Sequence, residues 1–428
     1  MAMRSIDLKL ALLASGGLAA LSLAPSCSAR PEESAREGVL APLAETRARP
    51  DVVSVTVSPP SVGITIAQPQ QFTATVTGTT MTGVTWSVDG VHLGNPTVGT
   101  ITKGGLYTPP STGGAHTVRA KSVADKTASG SARVGVTDLP GVLTWHNDVA
   151  RTGQNLQEYA LTKTSVASTT FGKVFSCPVD GYVYAQPLWV PSVNIGGVSH
   201  NVVYVATENN SVYAYDADAA QPALWQVSLG NPVPCADTGD TTDLIPALGI
   251  TGTPVIDPSS STLYVVAETK QTSPKTTYHH KLHALDLATG AEKFGGPVDI
   301  HPTVPGTGGN SVAGMIQYIP LDHFQRPALL LSGGVVYVPI GSSADTTPSV
   351  SHGWVVGFDA TTLALTMQSC TSPNGTMASI WGSGAGIAVD SAGSFYYETG
   401  NGTFDANVSG GDYGDSAVRT DASGAVLD

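Results

Sequence analysis

Apolar and polar positions along this chain alternate in short runs, and the runs recur. Val202-Val203-Tyr204-Val205-Ala206-Thr207 and Ser211-Val212-Tyr213-Ala214-Tyr215-Asp216 flank the polar cluster Glu208-Asn209-Asn210, which predicts a β-hairpin. The same figure returns as Leu263-Tyr264-Val265-Val266 with Leu282-His283-Ala284-Leu285-Asp286. It returns again as Val335-Val336-Tyr337-Val338 with Trp354-Val355-Val356-Gly357-Phe358-Asp359, and as Phe395-Tyr396-Tyr397 with Ala417-Val418-Arg419-Thr420-Asp421. In each copy the second strand closes in Asp, which makes this an internal repeat rather than an accident of composition.

Each repeat extends to four predicted strands. The innermost contains Gln186-Pro187-Leu188-Trp189-Val190, then Gly252 to Asp257, Arg326 to Leu330, and Gly384 to Asp390. Proline fits there, because an edge strand tolerates a missing donor. The outermost is expected at Leu224-Trp225-Gln226-Val227, at Glu292-Lys293-Phe294 and at Leu365-Thr366-Met367. Asp216, Asp286 and Asp359 are placed to hold the turn into that strand through backbone hydrogen bonds. The repeats are spaced by about 60–73 residues, and the surplus is assigned to loops at 230–249, 270–281, 301–323 and 341–353.

Residues 51–137 alternate differently. Val53 to Val57, Phe72 to Val76, Val84 to Val88, Leu106-Tyr107, His116 to Ala120 and Ala132 to Val136 predict a small antiparallel sandwich with Trp86 in its core. Composition supports all-β structure throughout. Of 428 residues only 12% are charged, while 48 are Gly and 29 Pro, which favours short strands and turns over long helices. The net charge of −13 shows no basic patch, so nucleic acid is excluded as a partner.

The beginning of the chain reads as a targeting segment over residues 1–27, with Arg4 and Lys9 ahead of the apolar run Leu10 to Leu23. Ala24-Pro25-Ser26-Cys27 resembles a bacterial lipoprotein signal, which implies lipidation of Cys27 and a membrane contact through that anchor alone; ordinary signal cleavage is the alternative. Residues 28–50 are a flexible tether, and 138–170 a connector. Cys177, Cys235 and Cys370 are odd in number and contain no Cys-x-x-Cys, which argues against zinc and leaves one unspecified disulfide open.

Two resemblances follow from quoted segments. Gln71 to Val76, Val84 to Val88 and Gly104-Gly105-Leu106-Tyr107-Thr108-Pro109-Pro110 resemble bacterial Ig-like domains, which implies a spacer or weak adhesive module. Thr144 to Gly153 resembles the lead-in to PQQ-like β-propellers, and Ala284-Leu285-Asp286-Leu287-Ala288-Thr289-Gly290 is similar to that family's Ala-x-Asp-x-x-Thr-Gly turn. The resemblance implies four-stranded blades in residues 171–428. It also implies that a strand at Phe171 to Phe175 completes the last blade. Such rings have six to eight blades, so about four repeats suggest an incomplete propeller, with the chain stopping within the fourth outer strand.

The same family includes quinoprotein alcohol dehydrogenases, whose calcium ion binds the quinone, a Glu, an Asn and an Asp. Gly341 to Asp345 resembles the Glu segment with Asp345 in its place, Ile380-Trp381-Gly382 the segment of the quinone-stacking Trp, and Tyr397 to Gly402 the Asn segment, with Asn401 matching. Trp381 is therefore the candidate quinone platform, and Asp345 and Asn401 the candidate calcium ligands. The adjacent cysteine pair of that family is missing, and no catalytic residue is assigned. Asn401, Asp405, Asn407, Asp412 and Asp415 also supply oxygens for a cation, although polar turns explain them equally. In His279-His280-Lys281-Leu282-His283, alternation sets His279 and Lys281 on one face and His280 on the other, so the three imidazoles do not converge.

These readings lead to an exported all-β protein: tether, Ig-like sandwich, then a PQQ-like β-propeller. It is expected at the cell surface or in the periplasm, as an outer-membrane lipoprotein or a secreted protein. Its expected role is non-catalytic binding or scaffolding of a protein or polysaccharide partner, with no cofactor. The alternatives are a PQQ- and calcium-dependent oxidoreductase, and a carbohydrate-binding or adhesive protein.

Overall fold

A computed structural model describes residues 4–8, 52–167, 171–239, 244–342 and 350–428. Cys27 and Asp345 lie outside the described residues. The chain divides into two compact units. One is formed by 52–138 with 157–172, the other by 4–8, 139–156 and 173–428. The stretch expected as a single connector is thus shared between them. Its later part joins the first unit, where Arg133 Nη2 donates to the Tyr159 carbonyl at 3.1 Å.

The first unit is a sandwich of short strands. Ser61–Thr65, Ser129–Thr137, Gly114–Ser122, Val84–Val88 and Val91–His92 form one sheet in that order. Gln70–Gln71, Leu106–Thr108, Gly99–Ile101 and Gly94–Asn95 form a second, and Ser54–Ser58 pairs with Thr73–Thr77. Alternation buries Phe72, Trp86, Val88, Tyr107, Val118 and Val134 in one core, with Trp86 inside as expected. One pairing departs from the antiparallel expectation: Ser61–Thr65 runs parallel to Ser129–Thr137. The turn at Pro59-Pro60 carries the chain from one sheet into another, so the strand enters beside the unit's last strand in the same direction.

The second unit is a β-propeller. Its first blade is Leu188–Ile195, Val198–Ala206, Ser211–Asp216 and Trp225–Ser228, antiparallel in sequence order. The second is Val255–Asp257, Thr262–Gln271, Thr277–Asp286 and Val298–Asp299. The third contains Leu330–Ser332, Val335–Ser342, Trp354–Asp359 and Leu365–Cys370; the fourth Ala388–Val389, Phe395–Glu398 and Ala417–Thr420, with a further bridge from Thr420 to Val426. The hairpin strands of the first three blades are buried on both faces for most of their length, because each blade packs on its neighbours. That explains their nearly continuous Val, Tyr and Ala content.

Three boundaries differ from the sequence expectation. The innermost strands of the first two blades begin directly after Pro187 and Pro254, and that of the third begins at Leu330, three residues past Pro327, since proline brings no N–H to the ladder. The second blade's outer strand is Val298–Asp299, not Glu292-Lys293-Phe294, because Phe294 adopts φ 55° and turns the chain out of line. The supposed loop 270–281 is largely ladder: Thr262–Gln271 and Thr277–Asp286 stay paired from Thr262–Asp286 to Gln271–Thr277. The polar residues Lys270, Gln271 and Thr277 to Lys281, mostly half-buried, disguise the strand. Finally, the strand expected at Phe171 to Phe175 lies four residues later, at Phe175–Val179, and its ladder partner is Arg4–Leu8 and not the fourth blade. Cys177 and Val179 turn into an apolar cluster with Val203 and Val205 of the first blade, which fixes the strand there.

Candidate functional site

Successive blades are joined by a hydrogen bond that repeats with the sequence. The Tyr204 hydroxyl donates to the Leu287 carbonyl at 2.9 Å, Tyr264 to Ala360 at 2.6 Å, and Tyr337 to Ala422 at 3.2 Å. Each acceptor is the residue directly after the Asp that closes the next blade's hairpin. The expected Asp residues hold their turns, Asp216 Oδ1 accepting from Asp218 N–H at 2.7 Å, and Asp421 does the same in the fourth blade. Asp286 Oδ1 accepts from the Ala288 and Thr289 N–H groups, Asp359 Oδ1 from Thr361 and Thr362, and Asp421 Oδ1 from Ser423 and Ala425. The turn bonds to Thr361 and Thr362 draw the Asp359 carboxyl down to about 2.

The lead-in segment ties the innermost strands together. Val142 bridges Trp189 of the first blade, and the Leu143 carbonyl accepts from Ile256 N–H of the second. Arg151 donates from Nη2 to the Leu329 carbonyl and from Nε to the Ile387 carbonyl, both at 3.0 Å. These two residues immediately precede the innermost strands of the third and fourth blades. Val149 O accepts from Val389 N–H, completing the set. Burial lowers Arg151 to about 10, with Asp148 opposing, so it stays a cation held by carbonyls.

Buried carboxylates complete the latching. Glu208 accepts from the Gly249 N–H and the Thr251 hydroxyl, each at 2.6 Å. Gly249 is required by this approach: a Cβ there would stand 2.4 Å from the Glu208 carbonyl oxygen. Burial raises Glu208 to about 7 against these two bonds, and Glu268 adds to the rise. Glu268 accepts from Gln325 N–H at 2.8 Å. Beside it, His280 contacts Tyr318, and His323 accepts from the Trp354 indole at 3.1 Å; burial drives His323 down to about 3. A buried neutral imidazole of this kind relays hydrogen bonds and does not exchange protons near neutrality.

An open concavity lies on the fourth blade. It is a cleft of about 720 Å³ with Trp381 at one side and Tyr396, Glu398, Gly400 and Arg419 along it. The strand Phe395–Glu398 alternates, turning Phe395 and Tyr397 into the core and leaving Tyr396 and Glu398 outward. Trp381 is half-buried, and its indole edge fits against Gly400, where a Cβ would stand 3.0 Å from Cδ1. Arg419 donates from Nη2 to Ser394 Oγ at 3.0 Å and stacks toward the Tyr396 ring at 5.9 Å. Its Nε is buried and has no hydrogen-bond partner among the described residues.

Of the sequence-assigned residues, Trp381 therefore lines the cleft. Asn401 follows Gly400 but is exposed and is not part of the lining. The residues present suit a planar, anionic group: an aromatic side wall and a guanidinium charge. Glu398 and Asp428 are the carboxylate residues of the lining, and among the described residues no group of three His, Cys, Asp or Glu ligand atoms converges there. The loop from Asn401 to Asp415 is organised by its own turns, with Asp405 accepting from Asp412 N–H at 2.8 Å and Asp412 from Asn374 N–H at 2.9 Å. Cys177, Cys235 and Cys370 are all free thiols, so the disulfide left open by the sequence does not form among them. Burial pushes the Cys370 thiol up to about 12, which makes it a poor nucleophile.

Sequence reasoning overlooked Arg151, Glu208, Glu268, His323 and Arg419. A signal existed for two of them, since Glu stands four residues after the hairpin Tyr in the first two repeats.

No protein-family model matches the chain, and no curated protein matches it. Among solved structures, the chain is similar to the quinohemoprotein alcohol dehydrogenase of Comamonas testosteroni, at 18% identity and TM-score 0.44 over 68% of this chain and 40% of that one. It is similar to the quinohemoprotein alcohol dehydrogenase ADHIIG of Pseudomonas putida HK5, at 17% identity and TM-score 0.37 over 58% of this chain and 34% of that one. A europium-containing methanol dehydrogenase matches at 14% identity and TM-score 0.40, over 68% and 48%. The chain thus spans between a third and a half of the length of these proteins. At such identities the likeness concerns the fold alone. The expectation that no cofactor belongs to this fold is corrected by the same finding, because all three neighbours are named for a redox cofactor or a metal.

Proposed function

We propose that the propeller is an exported quinone-dependent oxidoreductase module that acts on alcohols, with the cleft beside Trp381 as the quinone site. This reading replaces the scaffolding role expected from the sequence. The observation that carries it is the pairing, in one open cleft, of a half-buried indole with an arginine side chain. Trp381 offers an aromatic face to a planar ring, and the Arg419 guanidinium offers its positive charge to a carboxylate on that ring. Bound there, a quinone supplies the two-electron acceptance that alcohol oxidation requires. The Glu398 carboxylate, exposed in the same cleft, takes the hydroxyl proton. In the same reading residues 51–137 are an Ig-like spacer; lipidation of Cys27 would remove the Arg4–Leu8 strand that pairs with Phe175–Val179 and is not part of it. Among the described residues no helix is long and apolar enough to cross a membrane.

The test is reconstitution of the full chain with pyrroloquinoline quinone and Ca²⁺, with a parallel arm containing Eu³⁺. Reduction of an artificial electron-accepting dye by primary alcohols is expected, and it should vanish in Trp381→Ala. Dye reduction that is absent in both arms, or unchanged in the variant, returns the propeller to a scaffolding role.

A further inference from the structure

A second concentration of chemistry lies on the second blade, away from the cleft residues. His279, Asp299 and His301 each present a ligand atom, and the three atoms lie within 4.8 Å of one another. The ladder explains why. Lys281 pairs with Asp299 and Leu282 with Val298, and Ile300 N–H donates to the His280 carbonyl at 2.9 Å. The same register carried two residues further sets His279 opposite His301, with Asp299 diagonal on the same face. Lys281 stands directly across from Asp299, yet the Asp299 carboxylate lies against His279 Nδ1 at 3.0 Å.

We infer that this face binds one divalent ion of the zinc class through His279, Asp299 and His301. Two imidazoles and one carboxylate are borderline-soft ligands suited to Zn²⁺ or Co²⁺, whereas Ca²⁺ and Mg²⁺ require mostly oxygens. Ligands of a tetrahedral ion with bonds near 2.0–2.1 Å stand roughly 3.3 Å apart. The His279–Asp299 separation already meets that spacing, and the exposed His301 side chain closes the remainder by rotation. His279 Nε2 lies 2.9 Å from Thr277 Oγ1, two residues back on the same face. With Nδ1 on the ion, Nε2–H donates to that hydroxyl, which fixes the ring tautomer and its orientation. Three protein ligands leave a fourth position for water. The outer strand Val298–Asp299 has only two ladder residues, so the ion staples it to Thr277–Asp286.

The full chain, stripped with EDTA and desalted, is titrated with Co²⁺ by visible absorption and with Zn²⁺ by calorimetry, without added quinone. One ion per chain is expected, with the d–d bands of a tetrahedral nitrogen–oxygen site and no sulfur charge-transfer band, and with a Zn²⁺-dependent rise in Tm. Binding should be lost in His279→Ala and His301→Ala and weakened about 10–100-fold in Thr277→Val. His301 is exposed, so its variant keeps the fold, as circular dichroism will verify. Absence of saturable binding in the parent chain, or affinity unchanged in His301→Ala, overturns the inference. Neither result bears on the quinone cleft.

Discussion

The Tyr264 hydroxyl of the second blade donates to the Ala360 carbonyl of the third at 2.6 Å, one residue past the Asp that closes that blade's hairpin. The bond satisfies the hydroxyl of a fully buried ring with a backbone carbonyl of the neighbouring blade's turn. It recurs between the other neighbouring blades, so a single sequence repeat specifies both the blade and its attachment to the next.

Tyr264→Phe removes the donor and strands a buried carbonyl, at a cost of about 1–2 kcal/mol. Tyr337→Phe should cost less, since its bond to Ala422 is longer, at 3.2 Å. Urea unfolding of the two variants checks the order. Equal and negligible losses would deny these hydroxyls any role in joining blades.

Glu208 makes a pH prediction. Its folded-state pKa is raised from 4.5 to about 7, chiefly by burial. The native state thus holds a proton that the unfolded chain releases above pH 4.5. Its contribution is fully present below that value and is lost as pH rises through about 7. The loss amounts to roughly 3 kcal/mol. Glu208→Gln, which carries no proton to lose, should flatten stability between pH 5 and 8 relative to the parent. Parallel profiles would contradict this.

Arg151 bonds residues leading into the third and fourth blades from a segment that precedes all four. Lysine cannot reach Leu329, Ile387 and Thr144 together, because it lacks the planar fork. Arg151→Lys is expected to lose about 2–4 kcal/mol, as two or more charge-assisted bonds go unmade. Thermal unfolding should also broaden as the fourth blade separates from the rest.

What the sequence revealed follows from what is local. Tyr204, Tyr264 and Tyr337, each with its closing Asp, are legible because hairpin register and turn chemistry are set within a few residues. The outer strand at Val298–Asp299 was misplaced because a left-handed Phe294 leaves no mark in the pattern. His279 was visible, but Asp299 and His301 join it only through a ladder register. Likewise Trp381 could be matched by its flanking residues, while Arg419 reaches the same cleft from a strand almost forty positions on. Arg151 was hidden for the same reason: its carbonyl partners are 178 and 236 residues away.

Gly400→Ala separates the cleft from the fold. The added Cβ would stand 3.0 Å from Trp381 Cδ1 and 3.1 Å from Nε1, so the indole must shift by a few tenths of an ångström. Quinone affinity should fall severalfold while Tm changes little. A large loss of Tm with affinity intact would mean that Trp381 is a packing residue and not a platform.

The most direct measurement of the quinone site is equilibrium dialysis of pyrroloquinoline quinone against the full chain, with parent, Trp381→Ala and Arg419→Met compared at one pH and salt. The account predicts one quinone per parent chain and affinity lower by about tenfold or more in each variant, as stacking or a charge-assisted bond is removed. Absence of binding by the parent, or equal affinity in all three proteins, would contradict it.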